Sequence, residues 1–359
     1  MPQPNRGKRL ARGAAIPAGL RLGLLVALCA LAQPVAARTP APALRWDVDP
    51  ATRSLGTLAG QGGGLRLLWW NVQRGELNAK LTRKGQLPPL DANLQALSSS
   101  RFHPDVIVLG EYQQGILRPE TRAALARAYP HQHFQPYNAG TPNDGLLLLS
   151  RHALSPEQAR QLGYAPPGSS PEQAERYRQR WEAGYGDARY FDKPYLRVGV
   201  HLPDGRRVEL VPFHAIQPWD KLRQERGGGL WGFFRTSLDI VFGRKNPLMN
   251  QVHALRANLA GDFGRDLSKS NVVLFGDLNF MRSALRVPTK PYRTISKGLV
   301  DPFRGRPAQP SWPSRSAGET SYPGLQLDQV FTSASTVMQA SGVLPLKGSD
   351  HYPLMMVLQ

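Results

Sequence analysis

The chain has one cysteine in 359 residues, and that one, Cys29, lies in an apolar run near the N-terminus. With that run removed, disulfides, thiolate metal sites and a cysteine nucleophile are all excluded. Long apolar runs are scarce too. Leu22–Ala32 is only 11 residues, too short to cross a bilayer comfortably, and no other segment is long enough. Acids are absent from the first 37 residues, which hold five basic ones. A basic start, a short apolar centre and a small-residue exit at Val35-Ala36-Ala37 predict a secretory signal over residues 1–37. The protein is then expected to be exported, periplasmic or extracellular; with the signal uncleaved it would be anchored to the inner membrane. Net charge is +19, or +14 without that segment. Such a balance favours anionic partners: nucleic acid, phosphate esters or an anionic lipid surface.

What is present is the pattern of a folded chain, 41% hydrophobic and 20% charged, which excludes a disordered composition. Residues 38–64, rich in Pro, Ala and Gly and ending in "GQGGG", read as a linker. Short apolar runs follow: 65–71, 105–110, 145–150, 196–202, 206–214, 271–277, 327–333 and 354–358. Near-continuous apolar character suits strands covered on both faces. In 246–267, Leu248, Val252, Leu255, Leu259 and Phe263 recur at helical steps behind an Asn246-Pro247 start. Residues 119–129 are a second helix candidate, and the polar stretch 155–192 reads as a mostly helical insertion. The mixture predicts an α/β fold, with two sheets face to face and helices outside.

Polar residues recur where strands end: Asn71, Glu111, His214, Asp277, Asn279 and Asp328. Loops at strand ends on a rigid scaffold are where sites are built. The set "WWNVQRG", "DVIVLGEYQ", "GLLLLSRH", "ELVPFHAI", "VVLFGDLNF", "LQLDQVF" and "GSDHYP" resembles, in order, the endonuclease/exonuclease/phosphatase superfamily. That group includes DNase I-like nucleases, abasic-site endonucleases, sphingomyelinases and inositol-phosphate phosphatases. The resemblance covers roughly residues 65–359, so the domain is placed there. It implies the four-layer α/β sandwich with two mixed sheets of the DNase I-like fold, and hydrolysis of phosphoesters.

Glu111 has a hard oxygen which, with the Asn71 carbonyl, suits Mg²⁺, or Mn²⁺ in its place; the bland readings are a capping Glu and a turn Asn. Asp277 and Asn279 are two apart and share a face of an extended chain. The resemblance implies that Asp277 holds or deprotonates water and Asn279 donates to a phosphoryl oxygen; a tight turn is the bland reading. His351, next to Asp350, can donate to phosphate or move a proton near neutrality. The resemblance supplies Asp328 as its orienting partner and leaves Asp350 as a metal or water ligand. His214 is implied at the scissile phosphate or leaving oxygen, with Asp144 as an acidic partner and Arg151 as a phosphate contact. Two departures bear on the pocket: Gly110 stands where many members carry Gln, and Gln329 where related sequences often have His or Tyr.

The substrate stays open between two classes. The basic charge, and Arg interleaved with Trp and Tyr over 177–190, suit nucleic acid. Trp231, Phe233 and Phe234, following three glycines, suit a tip that dips into a membrane interface and a lipid-headgroup or small phosphoester substrate. Solvated or packed helices are the bland readings of both stretches. No obligate protein partner is evident.

Overall fold

The computed structural model describes residues 64–99, 103–162, 165, 168–185, 193–216, 238, 241–242, 247–284, 287–304, 309–312, 314 and 325–359. The signal and linker expectations, apart from Gly64, and the aromatic trio Trp231, Phe233 and Phe234 lie outside the described residues.

The strands in chain order are β1 Leu65–Asn71, β2 Val106–Gln113, β3 His131–Pro136, β4 Asp144–Ser150, β5 Ala153–Pro156, β6 Arg160–Leu162, β7 Lys193–Tyr195, β8 Val198–His201, β9 Arg207–Pro212, β10 Val272–Asp277, β11 Ser283–Ala284, β12 Val287–Pro288, β13 Asp328–Thr332, β14 Met338–Val343 and β15 Leu354–Leu358. Six form one sheet in the order β14-β15-β1-β2-β4-β3, and five form a second, β13-β10-β9-β8-β5. Both are mixed: β1 runs parallel to β2 and β10 to β9, while the other neighbours are antiparallel.

The apolar runs are explained by burial on both faces. Leu67 and Trp69 of β1 point between the sheets, with Val106, Val108, Leu210, Val273, Phe275 and Val330. Leu68 and Trp70 point the other way, under the helices Pro89–Ser99 and Pro119–Ala128, with Leu94, Leu97 and Leu125. On the far side, Leu248, Val252, Leu255 and Leu259 of the helix Pro247–Phe263 cover Val211, Val272 and Leu274. Helix, sheet, sheet and helix make the four-layer α/β sandwich.

Two segments depart from expectation. Residues 155–192 hold more than helix: Ala153–Pro156 is an edge strand paired with β8, and Arg160–Leu162 pairs with Lys193–Tyr195, around the helix Pro171–Tyr185. Helix Pro89–Ser99 and strands β3 and β14 had no clear sequence signal, because β3 ("HQHFQP") and β14 ("MQASGV") lie at one edge of the sheet each and carry polar residues. No helix among the described residues is long and apolar enough to cross a membrane.

Candidate active site

Strand direction gathers the polar residues at one edge of the sandwich. Asn71, Glu111 and Asp277 lie at or near the C-terminal ends of β1, β2 and β10, and His214 follows β9. Asp328 opens β13 and His351 lies in the turn that leads into β15, strands antiparallel to β10 and β1.

Three local features aim the side chains. In β2 the register against β4 shifts between Leu109 and Tyr112. This bulge places one extra residue on the strand and re-aims its neighbour, so Glu111 turns to the site while Tyr112 stays in the outer core. At Gly276 (φ +145°) a Cβ would stand 1.8 Å from the Phe213 carbonyl oxygen. Only glycine lets β9 pass this close, and the approach sets His214 beside Asp277. Backbone strain is concentrated here: among the described residues, the non-glycine ones with positive φ are Gln73 (46°), Arg74 (52°), Glu111 (49°) and Asn279 (52°). Such conformations persist only where the surroundings enforce them, and they cluster at functional sites.

Asp277 is the centre. Its Oδ2 lies 3.6 Å from His214 Nε2 and 3.7 Å from His351 Nε2, and accepts from Asn71 Nδ2 at 3.1 Å. Its Oδ1 accepts from the Asn279 amide at 3.1 Å. The Asn279 side chain donates one N–H to the Ala215 carbonyl, which leaves its second N–H. His351 Nδ1 is 2.7 Å from Asp328 Oδ2, and Asp328 Oδ1 accepts from Trp69 Nε1 at 2.6 Å.

The two histidines are held in opposite states. Burial alone would lower His351, but Asp328 and Asp277 outweigh it and push its pKa up to about 10. Asp328 is correspondingly low, because the imidazolium and its hydrogen bonds overcome burial. His214 is driven well below 6.5 by burial and then by the charge of Lys193. Its tautomer follows from its partners. The Tyr137 hydroxyl accepts from the Glu111 amide at 2.7 Å and stands 2.9 Å from His214 Nδ1. Lys193 Nζ, which can only donate, faces the same nitrogen at 3.4 Å, so Nδ1 is the acceptor and Nε2 carries the imidazole proton, 3.3 Å from Glu111 Oε1. Burial raises Glu111, and it carries Asp277 up to about 7, reinforced by Asp328 and Glu111 against the opposing pull of His351.

Not every expected residue joins this set in its expected role. Asp144 is not the partner of His214: it pairs with Arg74 Nε at 2.8 Å, and the Nδ1 position is filled by Tyr137. Arg151 is not a phosphate contact of this site. It lies beyond the opposite end of β4, 3.4 Å from Asp105, because β4 runs antiparallel to β2. Asn71 turns its amide nitrogen to Glu111 (3.2 Å) and Asp277, while its carbonyl oxygen accepts from the Gln73 amide. It bridges the acids as a donor rather than offering them a shared ligand. Asp350 accepts from Trp312 Nε1 at 3.2 Å, and its charge reaches Glu111 and His351.

Three residues at the site were missed. Tyr137 carried no signal in "FQPYN". Lys193 opens the short strand β7 ("KPY") ahead of the apolar run 196–202, and carried no signal of its own. It is buried 3.4 Å from His214 Nδ1 and over the Tyr137 ring at 3.9 Å. Trp69 read only as core.

The carboxylates fit a hard divalent ion. Both oxygens of Asp328 are engaged, by Trp69 and His351, whereas Asp277 and Glu111 present carboxylate oxygens on either side of the Asn71 amide, and hard oxygens of this kind suit Mg²⁺ or Mn²⁺. Asp277, Asp328 and His351 also place ligand-type atoms within 4.8 Å of one another.

Fold and site together are those of a phosphoester hydrolase scaffold, with an acidic and histidine cluster at its centre. The sequence profile of the endonuclease/exonuclease/phosphatase family matches residues 68–351, and the chain belongs to that family. Its members are phosphoric ester hydrolases, generally dependent on a divalent metal. The fold is shared with an endonuclease/exonuclease/phosphatase from Beutenbergia cavernae DSM 12333 (18% identity, 82% of this chain and 71% of that one, TM-score 0.51). It is shared also with a mannosyl-6-phosphatase from Bacteroides thetaiotaomicron VPI-5482 (14%, 82% and 99%, TM-score 0.51) and with sphingomyelinase C from Streptomyces griseocarneus (17%, 82% and 99%, TM-score 0.50). No curated protein matches the chain by sequence.

Proposed function

We propose that this chain is an exported phosphodiesterase that cleaves nucleic acid by in-line attack of water on phosphorus. The observation that carries the reading is the arrangement around Asp277: one carboxylate oxygen faced by a cationic His351 and a neutral, Nε2-protonated His214, with Glu111 beside them. A charged imidazole and a neutral one, both presenting N–H, suit an anionic group that gains charge in the transition state.

In this reading Asp277 accepts the proton of the attacking water. His351 Nε2–H and the remaining Asn279 N–H donate to phosphoryl oxygens. His214 Nε2–H donates to an oxygen of the phosphate or of the departing group, and Lys193 adds positive charge behind it. Asp328 keeps the His351 ring oriented. Glu111, Asp277 and Asp350 would hold the divalent ion, which supplies charge neutralisation and lowers the pKa of bound water.

Nucleic acid is favoured by the +14 charge of residues 38–359, since phosphate contacts dominate that binding. Export rests on the basic, apolar and small-residue order of residues 1–37. The test is hydrolysis of plasmid DNA, RNA and sphingomyelin vesicles by residues 38–359, with Mg²⁺, with EDTA and with Asp277→Ala. Metal-dependent nicking that weakens as salt rises supports the proposal. Intact nucleic acid with cleaved lipid headgroup overturns it in favour of a lipid substrate.

A further inference from the structure

Trp69 touches both arms of the site, and the reaction described above gives it no part. Its indole Nε1 donates to Asp328 Oδ1 at 2.6 Å, and the other oxygen of the same carboxylate meets His351 Nδ1 at 2.7 Å. The far rim of the ring lies against Gly110, where a Cβ would stand 2.4 Å from Cη2 and 2.7 Å from Cζ2. Gly110 precedes Glu111 in the β2 bulge. The indole cannot drift, because it is fully buried between the sheets, edge-on to Phe275 at 6.0 Å and 71°.

We propose that Trp69 is a positioning residue for hydrolysis: its N–H fixes the plane of the Asp328 carboxylate and thereby the ring of His351, and its six-membered ring backs the bulge that presents Glu111. The inference rests on the phosphoester-hydrolase reading of the site. A carboxylate gripped at one oxygen turns easily about its last bond, whereas one gripped at both, here with the Ser311 hydroxyl as a further hydrogen-bond partner, presents a fixed acceptor to the imidazole. Outer hydrogen bonds of this kind orient the groups that do chemistry. The pairing also accounts for Gly110, where many family members carry Gln. An indole at 69 and any side chain at 110 occupy the same volume, so one excludes the other.

The test compares wild type, Trp69→Phe, Gly110→Ala and the double variant on whichever phosphoester the wild type cleaves, with proton NMR of the His351 Nδ1–H. That downfield signal is assigned by its loss in His351→Asn. Trp69→Phe keeps an aromatic ring and removes the N–H. Its kcat is expected to fall about 10- to 100-fold with KM within about twofold of wild type, and the downfield proton is expected to shift. Gly110→Ala pushes the ring and lowers both activity and thermal stability; adding Trp69→Phe restores the stability and leaves the activity low. An unchanged kcat, or an unmoved downfield proton, overturns the proposal. So does a loss of activity that follows the unfolded fraction alone. Should Trp69→Phe fail to fold, Gly110→Ala carries the same kcat and NMR comparison. Should wild type cleave no phosphoester, the hydrolase reading fails by itself, and the NMR shift still decides whether Trp69 sets His351.

Discussion

The Tyr137 hydroxyl sits 2.9 Å from His214 Nδ1, in the place expected for a carboxylate. A tyrosine fixes a neutral imidazole, where a carboxylate would have favoured a charged one. Tyr137→Phe removes the hydroxyl that satisfies both Nδ1 and the Glu111 amide. A buried donor left without a partner costs about 1–3 kcal/mol, so the melting temperature falls. Activity is expected to drop about 10- to 100-fold. Thermal melts and kcat on one set of samples check both; unchanged kcat would return His214 to a bystander.

His351 and Asp328 link pH to stability. The folded pKa of His351, about 10, lies above its ordinary value of 6.5. Its stabilisation is therefore complete below about 6.5 and lost as pH rises to about 10. In metal-free protein the urea-midpoint gap between wild type and His351→Asn should close across that window. A gap that stays constant with pH contradicts the charged imidazole.

Asp277 has the opposite consequence for its ionised form. Its carboxyl is raised from 3.8 to about 7, so its contribution is favourable below about 4 and lost as pH rises through about 7. Metal-free Asp277→Asn is expected to melt several degrees above wild type at pH 8 while losing at least about 100-fold in kcat. A variant less stable than wild type at pH 8 would refute the buried-carboxylate account.

Metal uptake at pH 6 should release protons, because burial holds Asp277 up to about 7 and it must ionise to bind a cation; burial raises Glu111 in the same direction. Calorimetry in two buffers of different ionisation enthalpy measures the count. Glu111→Gln is expected to weaken the ion about tenfold or more; an unchanged isotherm removes Glu111 from the ligand set.

Lys193→Met replaces a buried cation by a chain of similar shape. We expect a raised KM for an anionic substrate, a shallower salt dependence of kcat/KM, and little change in melting temperature. Arg151→Ala is the control, since that side chain pairs with Asp105 beyond the far end of β4; loss of activity there would relocate the substrate path.

Much of the architecture was legible because burial on both faces writes itself into the sequence as apolar runs: "LRLLWWN", "VVLFGD" and "LMMVL" are strands within a residue or two of their expected limits. Edge strands such as β3 and β5 were not, since one open side permits polar residues. The residue types of the site were equally plain, as polar groups ending apolar strands. Their partners were not, because hydrogen-bond pairing depends on strand direction and bulges rather than on order along the chain. Asp144 is next to an apolar strand, yet the antiparallel course of β4 and the reach of Arg74 give it a different neighbour. Tyr137 and Trp69 are apolar-looking residues whose single polar atom matters only once two sheets are closed on each other. The sequence by itself thus determined the layers and the chemistry of the strand ends. Only the tertiary structure decided which histidine is charged, because that is set by the group opposite each ring nitrogen: Asp328 for His351, and Tyr137 and Lys193 for His214.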